Sequence, residues 1–292
     1  MPELPEVETI ANGVNLRVRG ARIVSVWTSG MPQTFKSPEV EIEAALAGTV
    51  IEGVRRVGKT IVMTVVRRGG KADSSAALRN DKQKDGANGK AEFLVHLGMT
   101  GRLLVSEKDV PLAAHTHAVL SLEDGREVRF VDPRRFGRLS VAALQETAEA
   151  YAGPGVEPTT IRDEEFAALF KGRKLAIKAA LLNQSLLHGV GNIYADESLF
   201  RAGIRPTRQA GRLTKVELKR LREALQAVLK RAIKLGGSSV SDYVDAEGMS
   251  GYFQIEHKVY GRGGEPCAVC GAPIKKIVVG GRGTHYCAKC QR

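Results

Sequence analysis

All four cysteines of the chain fall in its last 26 residues, as Cys267-Ala-Val-Cys270 and Cys287-Ala-Lys-Cys290 with sixteen residues between the pairs. Two CxxC knuckles so spaced suit tetrahedral thiolate coordination of one Zn²⁺, which forces the chain to turn back on itself between them. The intervening "GAPIKKIVVGGRGTHY" reads as two short β-rich runs around the turn "GGRG", so a β-hairpin zinc ribbon is expected over 263–292. With Cys267, Cys270, Cys287 and Cys290 all bound, no position is left for a catalytic water, and the metal is structural. Two disulfides are the competing use of four cysteines. They need an oxidising compartment, and the N-terminus shows no basic segment followed by an apolar one, the mark of a secretory signal. No apolar run approaches the ~20 residues that span a bilayer, so a soluble cytoplasmic protein is expected.

Upstream, the apolar pattern changes period once. Residues 3–17 carry Val7, Ile10 and Val14 at helical spacing and predict a first helix. Short alternating runs follow, among them "TVIEGVRRV", "TIVMTVV", "GRLLVS" and "HAVLSL", and Asp124-Gly125 marks a hairpin between two of them. Such strands with tight turns argue for a β-sandwich or barrel. The stretch 69–91 is polar, Gly-rich and aperiodic, as in a flexible surface insertion. After a Gly/Pro linker at 151–158, "RDEEFAALFKG", "LAIKAALLNQSLL", "IYADESLFRAG" and "TKVELKRLREALQAVLKRAIKLG" are helical by spacing, with Gly172, Gly203 and Gly236 placed to end helices. "HGVGN" between two of them is a tight turn able to bring backbone N–H groups and Asn192 against a phosphate. The boundary falls near residue 150, in an α+β chain.

The charge follows the same division. Residues 1–160 hold 21 Lys+Arg against 20 Asp+Glu, whereas residues 161–292 hold 23 against 12. A surplus confined to one half, at a pI near 9.7, is the electrostatic footprint of a polyanion partner. Nucleic acid fits better than a membrane surface, because no basic amphipathic helix with an aromatic face is present. The opening "MPELPEVETI" by itself reads as a helix start, with Pro suited to the first turn and Glu3 and Glu6 to the positive end of the helix dipole.

"PELPEVE", "HLGMTG" (96–101), "DPRRFG" (132–137), "GVGNIYADESLF" (189–200), "GYF" (251–253), "KVYGR" (258–262) and the four-cysteine ribbon occur in one order. That ordered set resembles bacterial formamidopyrimidine-DNA glycosylases over nearly the whole chain, apart from 69–91. "PELPE" is similar to the oxidised-purine branch rather than the "PEGPE" start usual in the endonuclease VIII branch. The resemblance implies an N-terminal β-sandwich with an N-terminal helix as the catalytic domain (1–150), a helix-two-turn-helix DNA-binding domain (151–236), a lesion-capping loop and connector (237–262) and the ribbon (263–292). It implies a monomer acting on double-stranded DNA that carries an oxidised purine or an abasic site, away from membranes, at the cytoplasmic nucleoid.

The same resemblance gives the opening residues a chemical reading. Once Met1 is removed, Pro2 presents an α-amine, whose reference pKa of about 7.7–8.0 leaves a useful neutral fraction near pH 7. That amine can attack a deoxyribose C1′ as nucleophile. Glu3 is placed to move a proton at the sugar, and Glu6 lies one turn on, on the same face. Lys59 in "RRVGKT" resembles the catalytic lysine, and Arg282 in "GGRGTHYC", at the hairpin turn, resembles the arginine that grips phosphates around the flipped nucleotide. Met99, Arg134 and Phe136 resemble the side chains that fill the gap left by an extruded base. His115, Arg173, Lys178 and Asn192 resemble phosphate contacts. Asn183 departs from the pattern, standing where Asp is common. A non-catalytic zinc-ribbon DNA-binding protein and a pyrimidine-directed glycosylase are the alternatives.

Overall fold

The computed structural model describes residues 1–67, 89–143, 155–240 and 243–292. Residues 69–88 of the expected insertion and 151–154 of the linker lie outside them, while Lys90 and Ala91 open a strand. Among the described residues the alternating runs form eight strands: β1 (Ile23–Thr28), β2 (Val50–Val57), β3 (Thr60–Val66), β4 (Lys90–His96), β5 (Arg102–Glu107), β6 (Thr116–Leu122), β7 (Arg126–Val131) and β8 (Arg138–Ala143). They build two four-stranded sheets, ordered β1-β6-β7-β5 and β2-β3-β4-β8, which make up the expected sandwich. Leu120, Val128 and Phe130 of one sheet and Ile61, Met63, Phe93 and Val95 of the other are buried, as the apolar alternation requires. The β6–β7 connection is Glu123-Asp124-Gly125, with Gly125 at φ +88° and the Asp124 carboxylate accepting the Arg126 N–H at 3.1 Å. A short helix, α2 (Glu39–Leu46), is not evident from spacing; it covers Ile42 and Leu46 after Pro38.

The helical part contains α3 (Asp163–Phe170), α4 (Ile177–Leu181), α5 (Asn192–Arg201) and α6 (Lys215–Lys234). α6 starts on a full capping box, Thr214 with Glu217, and buries Leu218, Leu221, Leu225, Val228 and Leu229. Gly172, Gly203 and Gly236 all take positive φ just past helix ends, as expected. The run "LAIKAALLNQSLL" is helical only over its first turns. Asn183 Oδ1 accepts the Ser185 N–H at 2.9 Å, and this Asx turn diverts the backbone just past the helix end at Leu181. That acceptor is the one an Asp would also supply.

In the ribbon, β9 (Ile274–Val279) pairs antiparallel with β10 (Arg282–Cys287). The turn itself is Gly280-Gly281, both at positive φ, which suits a two-residue hairpin. Arg282 therefore opens β10 beside the turn rather than occupying its tip.

Two compact units emerge, and they do not follow a single cut near 150. One joins Met1–Thr9 and Val57–Lys59 to the described chain from residue 155 onward; the other holds Ile10–Arg56 and the sheet residues from Thr60. Helix α1 (Leu4–Val18) thus begins in one unit and ends in the other. The reason lies in the bonding of the first residues. Leu4 N–H donates to Gly189 O at 3.0 Å, and Leu4 belongs to the apolar core of the helices with Phe166, Leu187, Tyr194 and Leu229. Pro2, Glu3, Glu6 and Lys59, expected in the β-rich domain, are held by the helical unit.

Candidate active site

Glu3 caps α1, and Glu6 at its third position accepts the Glu3 N–H at 2.8 Å, half of a capping box. The helix-start reading of the opening residues is therefore met, and the two carboxylates face inward as well. Both are buried. Glu3 accepts the N–H groups of Ile193 and Tyr194 at 3.2 and 3.5 Å, so the first turn of α5 turns its free donors toward this carboxylate. Those donors follow the "HGVGN" turn; within the turn, His188 N–H donates to Val156 O, Gly189 N–H to Gln184 Oε1 and Asn192 Nδ2 to Gly283 O. Burial nevertheless dominates: it raises the Glu3 pKa from 4.5 to about 7, the Glu6 charge adds to the rise, and Lys59 and the two N–H groups oppose it.

Glu6 is fixed from three sides. Tyr194 OH donates to its Oε1, Ser238 N–H donates to the same oxygen at 2.8 Å, and Tyr243 OH reaches its backbone carbonyl at 3.5 Å. Burial again pushes the carboxyl pKa up, and it raises the Tyr194 phenol, which stays a donor. Tyr194, Ser238 and Tyr243 carry no signal of their own in the sequence, although Tyr194 sits inside "GVGNIYADESLF". Pro2 is buried, and its nitrogen is acylated by the exposed Met1.

Two glycines are needed for this closeness. A Cβ on Gly191 would lie 2.1 Å from Glu3 Cδ, and one on Gly237, at φ +80°, 3.0 Å from Glu6 Cγ. Replacing Gly191 by Ala is therefore expected to displace the Glu3 carboxylate. Overpacking of this kind costs about 1–3 kcal/mol, to be read as a lowered melting temperature alongside a loss of base release.

Lys59 follows Gly58 in the two-residue β2–β3 turn. Burial lowers its pKa, the Glu3 charge raises it, and Arg282 lowers it further. Lys59 thus lies within electrostatic range of Glu3, Glu6 and Arg282. Arg173 is exposed beyond α3, with its Nε–H on Leu169 O at 2.5 Å. Lys178 and Asn192 differ from expectation. Lys178 is fully buried, paired with Asp196 at 2.6 Å, and donates to Gly283 O at 2.9 Å and Thr284 Oγ1 at 2.8 Å. These three partners use all the donors of its ammonium. Asn192 Nδ2 also donates to Gly283 O, at 2.9 Å. Both side chains are turned to the ribbon hairpin, Lys178 because a buried ammonium must be paired.

In the β-rich unit, Met99 is 41% and Phe136 48% exposed, although burial is the usual fate of such side chains. The Arg134 guanidinium lies 5.0 Å from the Phe136 ring centroid, within cation–π range. Their loops are clamped by buried Asp132, which accepts from Thr100 Oγ1 at 2.5 Å and from Gly137 N–H at 2.7 Å. A Cβ on Gly98 would lie 2.5 Å from the Phe136 carbonyl carbon, so the two loops touch through backbone. His115 is exposed at φ +63°, an uncommon conformation for a side-chain-bearing residue.

The four cysteine Sγ atoms lie within 4.8 Å of one another, with Cys267–Cys290 at 3.9 Å and Cys270–Cys287 at 3.5 Å. A tetrahedron with Zn–S of ~2.3 Å has edges of about 3.8 Å, so these thiolates fit one structural zinc ion. Val259 and Ile274 pack with Cys267 and Cys287 in a small core beneath it.

Comparison with known proteins matches this architecture segment by segment. Residues 1–139 fit the formamidopyrimidine-DNA glycosylase N-terminal domain, 153–244 the H2TH domain of the same enzymes, and 264–292 a zinc finger found in FPG and IleRS. The chain is 42% identical to the formamidopyrimidine-DNA glycosylase of Solibacter usitatus over 292 residues, covering all of both chains. It is likewise 42% identical to that of Cupriavidus pinatubonensis over 304 residues, again covering all of both. The chain belongs to the formamidopyrimidine-DNA glycosylase family. Among solved structures, a point mutant of the Lactococcus lactis FPG in complex with a Fapy-dG containing DNA superposes with a TM-score of 0.85 at 31% identity, covering all of both chains. The Lactococcus lactis Fpg bound to abasic-site DNA gives 0.84 at 31% identity over 99% of each. No helix among the described residues is long and apolar enough to cross a membrane.

Proposed function

We propose that the chain is a bifunctional DNA repair enzyme, excising oxidised purines such as 8-oxoguanine and formamidopyrimidines from duplex DNA and then cleaving the strand. The single observation that carries this is the pair Glu3 and Glu6, buried one helical turn apart beside Pro2, with Lys59 in electrostatic range of both and of Arg282. Loss of Met1 frees the Pro2 amine. Its lone pair bonds to C1′ while the C1′–base bond breaks and the base leaves with a proton. The C1′–O4′ bond then opens, its electron pair going to O4′, which takes the Glu3 proton, and C1′ becomes an iminium. The iminium acidifies C2′–H. Removal of that proton expels the 3′ phosphate, and a second elimination expels the 5′ phosphate. Water finally hydrolyses the Schiff base and returns the amine.

The other residues are assigned by position. Lys59 and Arg282 face the developing charge on the sugar and its phosphates. Arg173 and His115 offer exposed donors to DNA phosphates, whereas Lys178 and Asn192 act through the hairpin that they hold. Met99, Arg134 and Phe136 stand out from their loops as a wedge for the space of an extruded base. One structural zinc keeps the ribbon folded, and the substrate places the protein at the cytoplasmic nucleoid, working as a monomer. Single-turnover base release tests the reading on two duplexes, one with 8-oxoguanine opposite cytosine and one with thymine glycol. Release from the first at least about tenfold faster is expected. Release from thymine glycol alone would assign the chain to the pyrimidine-directed branch, and tight binding without release from either would make it a binder only.

A further inference from the structure

Lys178 and Asp196 form an ion pair with neither side chain exposed, at 2.6 Å, between α4 and α5. Buried pairs of this kind contribute little net stability, so a role in fixing geometry is the first thing to look for. Every remaining bond of the pair leads to one place. Lys178 Nζ donates to Gly283 O and Thr284 Oγ1, at 2.9 and 2.8 Å, and Asp196 Oδ2 accepts the His285 N–H at 2.9 Å. Asn192, opening the same helix as Asp196, puts a second donor on Gly283 O. Three consecutive residues of β10 are thus held by one buried charge pair and its neighbour. The residue immediately before them is Arg282, whose side chain is exposed. On the other side of the turn, a Cβ on Gly280 would sit 3.0 Å from Ala179 Cβ, so α4 also seats the hairpin sterically.

We propose that Asp196 is a positioning residue: with Lys178 as its counter-ion, it sets the direction in which Arg282 leaves the hairpin and so the grip of Arg282 on phosphate. Zinc holds the ribbon together internally, while the Lys178–Asp196 pair ties it to the helices. The two jobs are separable. This inference rests on the reading of Arg282 as a phosphate contact.

The test uses the zinc-loaded full chain and a duplex with a tetrahydrofuran abasic analogue. Three changes are compared: Asp196→Asn, the charge-free pair Lys178→Met with Asp196→Leu, and Arg282→Ala. The second removes both charges together, so it folds even if the first leaves Lys178 stranded. Each is expected to keep one zinc per chain, to weaken binding about tenfold, and to reduce the salt slope of binding by about one phosphate contact. Adding Arg282→Ala to either of the other two should cause no further loss, because the same contact is already gone. Unchanged affinity in both pair variants, losses that multiply with Arg282→Ala, or zinc missing from both would each overturn the proposal. Wild-type affinity in Arg282→Ala alone would instead remove the phosphate reading of Arg282 itself.

Discussion

Protein purified with Met1 retained is expected to bind lesion-containing duplex and to release no base. In that form the Pro2 nitrogen is an amide, its lone pair delocalised, and it cannot attack C1′. The binding surface is untouched, since the basic half of the chain and the exposed Arg173 and Arg282 are unchanged. Removing the nucleophile should lower base release and strand cleavage by about 10³-fold or more. Pro2→Gly gives a graded version, a primary amine with a freer backbone, and should fall between the two. Intact mass of the preparation and single-turnover release decide the matter together: full activity in protein shown to keep Met1 would contradict the role of Pro2.

Glu3→Gln should separate chemistry from stability with opposite signs. The amide keeps the shape and can still accept the N–H groups of Ile193 and Tyr194, but it has no proton to give, so base release should drop by about 10²–10⁴-fold. The pH profile should change with it. The wild-type rate rises as the Pro2 amine loses its proton and falls as Glu3 loses its own above about 7; the falling limb should vanish in the variant. Stability moves the other way. The folded pKa of Glu3 is raised from 4.5 to about 7, so folding favours the protonated form. That contribution is fully present below pH 4.5 and is lost as pH rises through 7. A shift of that size corresponds to about 3 kcal/mol at pH 8, which the neutral Gln side chain does not lose. Thermal melts at pH 8 should show the variant more stable than wild type, with the difference closing toward pH 4.5. A variant that melts lower at pH 8 and keeps the alkaline limb would remove Glu3 from the proton-transfer step.

Much of this site is legible in the sequence because its signals are local. The four cysteines specify a ribbon by spacing, the strands announce themselves by alternation, and Glu3 and Glu6 are one turn apart on a helix. What stays hidden depends on partners far along the chain. Nothing near Lys178 shows that Asp196 will bury beside it, and a lysine in the basic half reads naturally as a phosphate contact. The donors of Ile193 and Tyr194 go to a carboxylate about 190 residues away, a pairing that no window of sequence contains. The same long-range bonds explain why residues 1–9 leave the β-rich unit, while 57–59 go with them where Gly58 lies against His188 and Lys59 faces Glu3. Helix α4 stops early for a local reason, the Asx turn of Asn183, but the apolar period runs on past it and masks the break. Met99 and Phe136 mislead in the opposite direction: composition assigns them to a core, and their loops, clamped by Asp132, hold them in solvent.

The most direct measurement is borohydride reduction during turnover on a duplex with 8-oxoguanine opposite cytosine, followed by peptide mapping of the trapped complex. Reduction converts a transient iminium into a stable amine, and the cross-linked peptide names the nucleophile. One covalent complex is expected, joined through the nitrogen of Pro2 at a terminus lacking Met1, formed in Arg282→Ala as well but not in protein that retains Met1. A cross-link mapping to Lys59, or no trapped complex while base release proceeds, would contradict it.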